Sequence, residues 1–584
     1  MKSGFIGKLS SFFRLPLGWL AALFCISSIA AAVFSIEWNV RFNRAERLSE
    51  LASGGVTNRG RTPLPIVEGR DSKCSRQIYT CDVDYQPRLC GTFRVIPDGR
   101  MEQIILNGIA VPLDGIPRTD LANGGTGFIL RLGKLFRKGR NTVVFRLADD
   151  QRFTGLGVQS TAESYANPYL IPFYTLMTLS ALGFLLFALR KSEMTLAFIR
   201  EHRTAFLGGG IALAALLLRL FVVPIMSGDY RLFLSPWFET IRARGFSAFH
   251  DGFYNYSPLY VYLLGIATLL PTCKILSIKL VSVVFDFACA LILSRAVSTL
   301  RPESKIASFA VFAATIFLPT VFVNSSLWGQ CDVLYVTFVV ASLLCLASGR
   351  KNSDFAALLC LGIAFSLKMQ SLFVLPVFGI ALISGKARWR AVLIPPAVYF
   401  LTLVPAALAG RPVSELVTTY LRQVDYFPKM TLNAPTVWQW LPDDARLLVP
   451  GLVFAAVTIT LLIGAWIIRT RNAKPSAETL WRLALLFSLA MPFVLPRMHE
   501  RYFFTAEMLS LVYGALYPRR VWVPVLTVTC SLLGYGSNLM NPAPVPMGFV
   551  SAGILALTVF VAVDLFRKPE RRDAKISANA NGRS

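Results

Sequence analysis

The chain has 584 residues, 54% of them hydrophobic, and a mean hydropathy of +0.54. That is too apolar for a soluble multidomain protein, and runs long enough to span a bilayer recur along it, so a polytopic α-helical membrane protein is expected. The formal charge of +26 does not point to nucleic acid. Lys and Arg sit mostly in short loops between apolar runs, the positive-inside pattern, and report topology.

Residues 1–36 carry Lys2, Lys8 and Arg14 ahead of an apolar run over 17–36. The pattern is close to a signal peptide, but no clear cleavage site precedes Glu37, so an uncleaved anchor with a cytoplasmic N-terminus is expected. Residues 37–167 are polar and contain no spanning run. Strand-rich stretches such as Met101–Val111 and Thr142–Leu147 are separated by turn signals at Pro97-Asp98-Gly99, Asn107-Gly108 and Lys138-Gly139-Arg140-Asn141. A small extracytoplasmic β-sandwich fits. The stretch Leu135–Leu147 is similar to galactose-binding-type jelly rolls, with a structural plug as the alternative use of the domain. Seven of the ten cysteines lie in or beside apolar segments and read as core. Cys74, Cys81 and Cys90 lie in the polar region, where one disulfide with a thiol left over is allowed, with no pairing readable.

From residue 168 to 566 the chain stays in the membrane, with about fourteen spans in all once the N-terminal run is included. These fall near 168–190, 205–225, 275–298, 306–323, 332–348, 354–367, 371–385, 390–409, 448–468, 482–496, 502–517, 521–538 and 546–566. The run 258–271 is short and bounded by Pro258 and Pro271, and is read as amphipathic or re-entrant. That choice puts Arg301/Lys305, Arg350/Lys351, Lys386/Arg388/Arg390, Arg469/Arg471/Lys474 and Arg519/Arg520 all in the cytoplasm, along with the basic tail 567–584.

The same topology sends the unusual polar clusters to the opposite side. These are Ser227-Gly228-Asp229-Tyr230, Asn255-Tyr256-Ser257-Pro258, Trp328-Gly329-Gln330-Cys331-Asp332, Ser366-Leu367-Lys368-Met369-Gln370, Gln423–Asn433 and Arg497–Arg501. The segment Leu495-Pro-Arg-Met-His-Glu-Arg-Tyr-Phe-Phe504 concentrates them: Arg497, His499, Glu500 and Arg501 crowd between two apolar runs, with one of only three histidines. A juxtamembrane anchor needs only Lys and Arg, so an ordered Arg-x-His-Glu-Arg reads as a site. An outward-facing active site built from loops on a helical scaffold accounts for the convergence.

Ser-Gly-Asp-Tyr after a span, Asn-Tyr-Ser-Pro-Leu-Tyr, Asn-Ser-Ser-Leu-Trp-Gly-Gln-Cys-Asp and Leu-Pro-Arg-Met-His-Glu-Arg-Tyr-Phe resemble the bacterial relatives of PIG-V-type GPI mannosyltransferases. More broadly they resemble integral-membrane glycosyltransferases of the GT-C class. The resemblance covers roughly 205–540 and leaves out residues 1–200. It implies a polyprenyl-phosphate-linked sugar as donor, mannose or another hexose, transferred with inversion to a glycan or lipid acceptor outside the cytoplasmic (inner) membrane of a bacterium. It also implies an essential acid in the first external loop, which maps to Asp229.

On this reading Asp229 is the general base, against a loop acid pairing with Arg231. Lys368, Arg497, His499 and Arg501 meet the donor phosphate, with interfacial snorkelling as the alternative for Lys368. Glu500 orients an arginine or neutralises part of the cluster. Trp328, Gln330 and Asp332 suit sugar recognition, although Asp332 equally fits the first turn of a helix. His250, Asp251 and Asn255 share a loop with Asp229 and are candidate acceptor contacts. Tyr420–Asn433 and Trp438–Trp440 form a long external loop over the donor or acceptor, or an aromatic belt. No metal ligand is assigned; a divalent cation between Asp229 and Asp332 is the alternative kept. Two rival activities are kept: a transporter or flippase of lipid-linked saccharides, and a phosphotransferase acting on polyprenyl lipids, which would use a similar Arg/His/Asp set. A glycan-binding receptor without catalysis is a third. No internal repeat and no charge on both sides speak for transport.

Overall fold

The computed structural model describes residues 11–13, 15–37, 44–51, 56–63, 66–69, 74–85, 92–122, 127–132, 134–148, 153–160, 170–424, 429–539 and 545–567. Two compact units divide the chain. Met1–Ala248, Tyr262–Val283 and Phe322–Gln330 form one, and Phe249–Val261, Val284–Val321 and Cys331–Ser584 form the other.

Among the described residues the first unit carries ten strands: β1 (Arg44–Leu51), β2 (Val56–Pro63), β3 (Ile66–Gly69), β4 (Cys74–Tyr85), β5 (Thr92–Asp98), β6 (Arg100–Leu106), β7 (Ile109–Ala110), β8 (Phe128–Arg131), β9 (Gly139–Ala148) and β10 (Phe153–Ser160). They form two antiparallel sheets, β2-β1-β4-β9-β6-β7 and β3-β10-β5-β8. Period-2 alternation explains the sandwich. Val143, Phe145 and Leu147 of β9, Tyr79 and Val83 of β4 and Ile104 and Leu106 of β6 share one buried core with Phe93 and Val95 of β5, Phe128 and Leu130 of β8 and Leu156 of β10. The stretch Met101–Val111, read as strand-rich, is a hairpin. Asn107 at φ 51° and Gly108 at φ 87° form the turn between β6 and β7, the left-handed pair a two-residue hairpin requires. Asn141, buried at the start of β9, accepts from Arg137 N at 2.9 Å and donates to Arg137 O at 2.7 Å, which fixes the preceding turn. Cys81 is a free thiol in this core, and burial pushes its pKa up to about 12. The side chain of Cys74 and all of Cys90 lie outside the described residues.

Helix Pro16–Glu37 of the first unit packs beside Ile171–Arg190 and Arg203–Val222. Ala32 and Ile36 share a core cluster with Leu220, Val223, Cys273 and Leu276. Most of Ile171–Arg190 stays exposed, including Leu179, Leu185 and Leu189, as suits a helix whose partner is lipid rather than protein.

In the second unit Ala477–Val494 is the central helix. Its start is capped by Ser476 Oγ accepting from Thr479 N at 3.2 Å, and its side chains are buried on nearly every face. Around it pack Asp332–Ser348, Leu375–Ile383, Leu448–Thr470, Phe504–Leu516 and Met547–Phe566. Ser353–Leu367 and Ile394–Leu408 approach so closely that a Cβ at Gly362 would meet Pro395 Cα and the Val398 side chain at 2.9 Å, the small-residue contact typical of membrane helices.

Among the described residues eight helices are long and apolar enough to cross a membrane, or nine if the pair Lys305–Phe317 and Pro319–Trp328, bent by 43°, is one span. The expected spans over 332–348, 354–367, 371–385 and 502–517 are shorter apolar helices, as is Pro258–Ala267. Ten residues rise only ~15 Å, half a hydrocarbon core. The chain is a multi-pass membrane protein.

Candidate functional site

Two polar clusters stand out, one in each unit. In the first, helix Arg203–Val222 ends and a short turn leads to Asp229, which is followed by a π-helical stretch, Tyr230–Leu234. Ser227 Oγ shapes that turn by accepting from Tyr230 N at 3.0 Å and donating to Trp328 O at 2.5 Å. A second π-helical stretch, Val323–Trp328, ends at Gly329 in the left-handed region, φ 83°. Gln330 N then bonds Asn324 O at 2.8 Å, and Ser282 Oγ donates to Gln330 O at 2.8 Å. These bonds aim two donors at one carboxylate oxygen. Trp328 Nε1 reaches Asp229 Oδ2 at 2.9 Å, and Gln330 Nε2 donates to the same atom. Among the described residues nothing donates to Asp229 Oδ1. The aspartate is half-buried. Sequence reasoning gave Trp328 and Gln330 to the sugar; in the structure both hold Asp229.

In the second unit the cluster is built on Asp332, 1% exposed in the first turn of Asp332–Ser348. Lys368, at the break between Ser353–Leu367 and Met369–Val374, donates to Oδ1, and Arg501 Nε lies 3.4 Å from Oδ2. Arg501 Nη1 also pairs with Glu500 Oε1 at 2.8 Å, and Asn538 Nδ2 donates to that oxygen at 3.3 Å. The Tyr256 ring centre lies 5.4 Å from Lys368 Nζ. Lys368, Arg501 and Arg497 against Asp332 and Glu500 leave one net positive charge. Lys368 and Arg501, two of the cations expected to face phosphate, are thus already held by carboxylates.

The Arg497–Arg501 segment is fixed by its backbone. Met498–His499 pairs in parallel with Thr431–Leu432; Arg497 N bonds Met430 O at 2.7 Å and Glu500 N bonds Leu432 O at 3.1 Å. Arg497 takes φ 62°, uncommon for a residue with a Cβ. His499 Nδ1 sits 3.8 Å from Glu500 Oε2. Burial first, then the charges of Arg501 and Lys368, drops its pKa to about 3, so it is a neutral donor or acceptor near pH 7.

The loop expected to join His250, Asp251 and Asn255 to Asp229 does not exist. Tyr230–Leu234, Ser235–Arg244 and Gly245–His250 are all helical, because the apolar residues Phe233, Trp237, Phe238 and Ile241 recur at helical spacing. His250 Nδ1 and Asp251 Oδ1 are 2.8 Å apart and exposed; Asn255 Oδ1 is buried and without a hydrogen bond among the described residues. The long loop over 420–440 is docked rather than loose. Trp438 Nε1 donates to Val494 O at 3.0 Å and Trp440 Nε1 to Gly548 O at 3.0 Å. Residues 425–428 lie outside the described ones. Among the described residues no three of His, Cys, Asp and Glu gather as a metal set. Sequence reasoning missed Lys279, a lysine inside an apolar run, which is the signal that could have flagged it.

No protein-family model and no curated protein matches the chain. Among solved structures it is similar to the cryo-EM structure of arabinosyltransferase EmbB from Mycobacterium smegmatis. The identity is 13%, the TM-score 0.28, and the match covers 97% of this chain and 66% of that one. This chain therefore spans just under two thirds of the length of EmbB, and a TM-score this low carries no functional argument.

Proposed function

We propose that this protein is a GT-C-type membrane glycosyltransferase that moves a hexose, mannose among the candidates, from a polyprenyl-phosphate donor to an extracytoplasmic glycan or lipid acceptor, with inversion. The observation that supports it best is the divided environment of Asp229. Two N–H donors hold Oδ2 and fix the carboxylate plane, while Oδ1 is left to take a proton. As the acceptor hydroxyl oxygen attacks the anomeric carbon, the bond from that carbon to the phosphate oxygen breaks. The electron pair leaves with polyprenyl phosphate and the hydroxyl proton passes to Asp229 Oδ1. A positioned base of this kind contributes ~10²–10⁴-fold. The leaving phosphate needs no acid but does need positive charge. Arg497, Arg501, Lys368 and His499 are the residues the sequence offers for that role. Asp332 and Glu500 orient Lys368 and Arg501, and His250 and Asn255 remain acceptor candidates.

The test is purified protein in nanodiscs with a panel of polyprenyl-phosphate sugars, following polyprenyl-phosphate release and sugar on the acceptor. Wild type should release it and Asp229→Asn should fall ~10²–10⁴-fold in kcat. A variant as fast as wild type would remove Asp229 as base. Phosphate transfer without sugar on the product would replace the reading with phosphotransfer, and bound but unreacted lipid-linked saccharide with transport.

A further inference from the structure

Lys279 lies in the apolar helix Lys274–Leu300 and is fully buried. Its Nζ donates to Val223 O at 2.9 Å, Ile225 O at 2.5 Å and Leu327 O at 2.9 Å, and stands 5.9 Å from the centre of the Tyr230 ring. An ammonium has three N–H donors and no acceptor, so three carbonyls match it one for one. Nothing about packing a helix face in a membrane asks for a lysine; an apolar side chain would fill the volume without the cost of a buried charge.

The origin of the carbonyls gives the lysine its purpose. Val223 and Ile225 end helix Arg203–Val222 and lead through Ser227 to Asp229. Leu327 precedes Trp328, whose indole N–H holds Asp229 Oδ2. Other direct ties between these two segments are Ser227 Oγ to Trp328 O, and the Trp328 and Gln330 side chains to Asp229. Each of those involves the segments themselves, whereas Lys279 reaches both from a third element.

We propose that Lys279 is a positioning residue for Asp229: its ammonium clamps residues 223–225 to Leu327 and so sets the Trp328 and Gln330 donors on Asp229 Oδ2. The proposal rests on Asp229 being the base, and its test separates the two. The full chain in nanodiscs is labelled with 5-fluorotryptophan, and the Trp328 signal among the ten tryptophans is assigned by its loss in Trp328→Phe. In Lys279→Met the Trp328 signal should move toward its position in Asp229→Asn while the other nine hold. In the same variant kcat for polyprenyl-phosphate release should fall about a hundredfold with the donor KM within about twofold. Lys279→Arg, which keeps a charged donor head, should restore part of both. If Lys279→Met cannot be recovered, Lys279→Gln, with two N–H donors, takes its place.

An unmoved Trp328 signal overturns the proposal. So does movement of all ten signals, which would mean general packing, and so does a KM that rises as kcat falls. If the wild type transfers no sugar from any donor, the proposed function fails, while the fluorine shift still decides whether the clamp exists.

Discussion

Asp332 and Lys368 are both nearly fully buried and joined directly, with Arg501 on the second carboxylate oxygen. Removing one member of such a pair strands a charge away from water, which costs about 3–5 kcal/mol. Lys368→Met should therefore unfold at clearly lower temperature than wild type, whereas Lys368→Met with Asp332→Leu should recover most of the loss. A double variant no more stable than the single one would mean that the pair's partners, not its charges, set the cost. His499 makes a second prediction with a definite sign. Its pKa is about 3 in the fold and about 6.5 in an unfolded chain. The unfolded chain thus takes up a proton as pH falls through about 6.5 while the folded one stays neutral. The stability that neutral His499 contributes is fully present above about 6.5 and is lost progressively between there and about 3. Thermal unfolding in detergent should show a drop from pH 7 to pH 5 that is smaller in His499→Gln. A rate-profile limb near pH 6–7, if found, belongs to another group.

Helix-scale features follow the apolar runs, and so were legible before any coordinates. Lys274–Leu300, Ala477–Val494 and Met547–Phe566 stand where hydropathy puts them, and Asn107-Gly108 turns as its residue pair requires. What escaped the sequence is pairing. Thr431–Leu432 and Met498–His499 are two-residue strands, far too short to carry a strand pattern, and meet only because their flanking helices bring them together. Lys279 answers to backbone carbonyls, which every residue has, so no partner motif exists to be read. The polar cluster around Asp332 was visible as a set of residues. Which cation meets which carboxylate depends on how Asp332–Ser348 and Ser353–Leu367 pack. The packing of Ser353–Leu367 on its other neighbour, Ile394–Leu408, is testable at Gly362, where a Cβ would press on Pro395 and Val398. Gly362→Leu should lower stability by about 1–3 kcal/mol, measured by thermal unfolding; no change would mean that the two helices part without cost.

At the scale of the whole membrane domain, the second unit ties its basic loops to one another. Arg388 bonds Asp354 and Asn352, joining the loops at 350–354 and 385–390. Asn472 Nδ2 donates to Ile383 O at 3.1 Å, which adds the loop at 469–474. Arg301 Nη1 reaches Ala515 O at 2.8 Å. Asp564, at the end of the last helix, takes Arg482 at 2.9 Å, Arg520 at 2.5 Å and the Tyr513 hydroxyl at 2.8 Å. Helix Asp332–Ser348 runs from the buried Asp332 to the 350–354 loop, so Asp332 and Lys368 sit at the other end of that helix pair. Charge counting put these loops on one side without using any contact, and the contacts gather them at one end without using any charge rule. The two arguments meet on a prediction about orientation. In a cysteine-free variant, single cysteines at Lys351 and Arg519 should react alike with a membrane-impermeant maleimide, and only after cells are permeabilised. One at Asp114, exposed in the β-sandwich, should react in intact spheroplasts. Unequal labelling of 351 and 519 would contradict the packing of the second unit. Equal labelling of both from outside would leave the packing intact and invert the membrane, placing the Asp332–Lys368 cluster on the cytoplasmic face, where a donor flipped outward could not reach it.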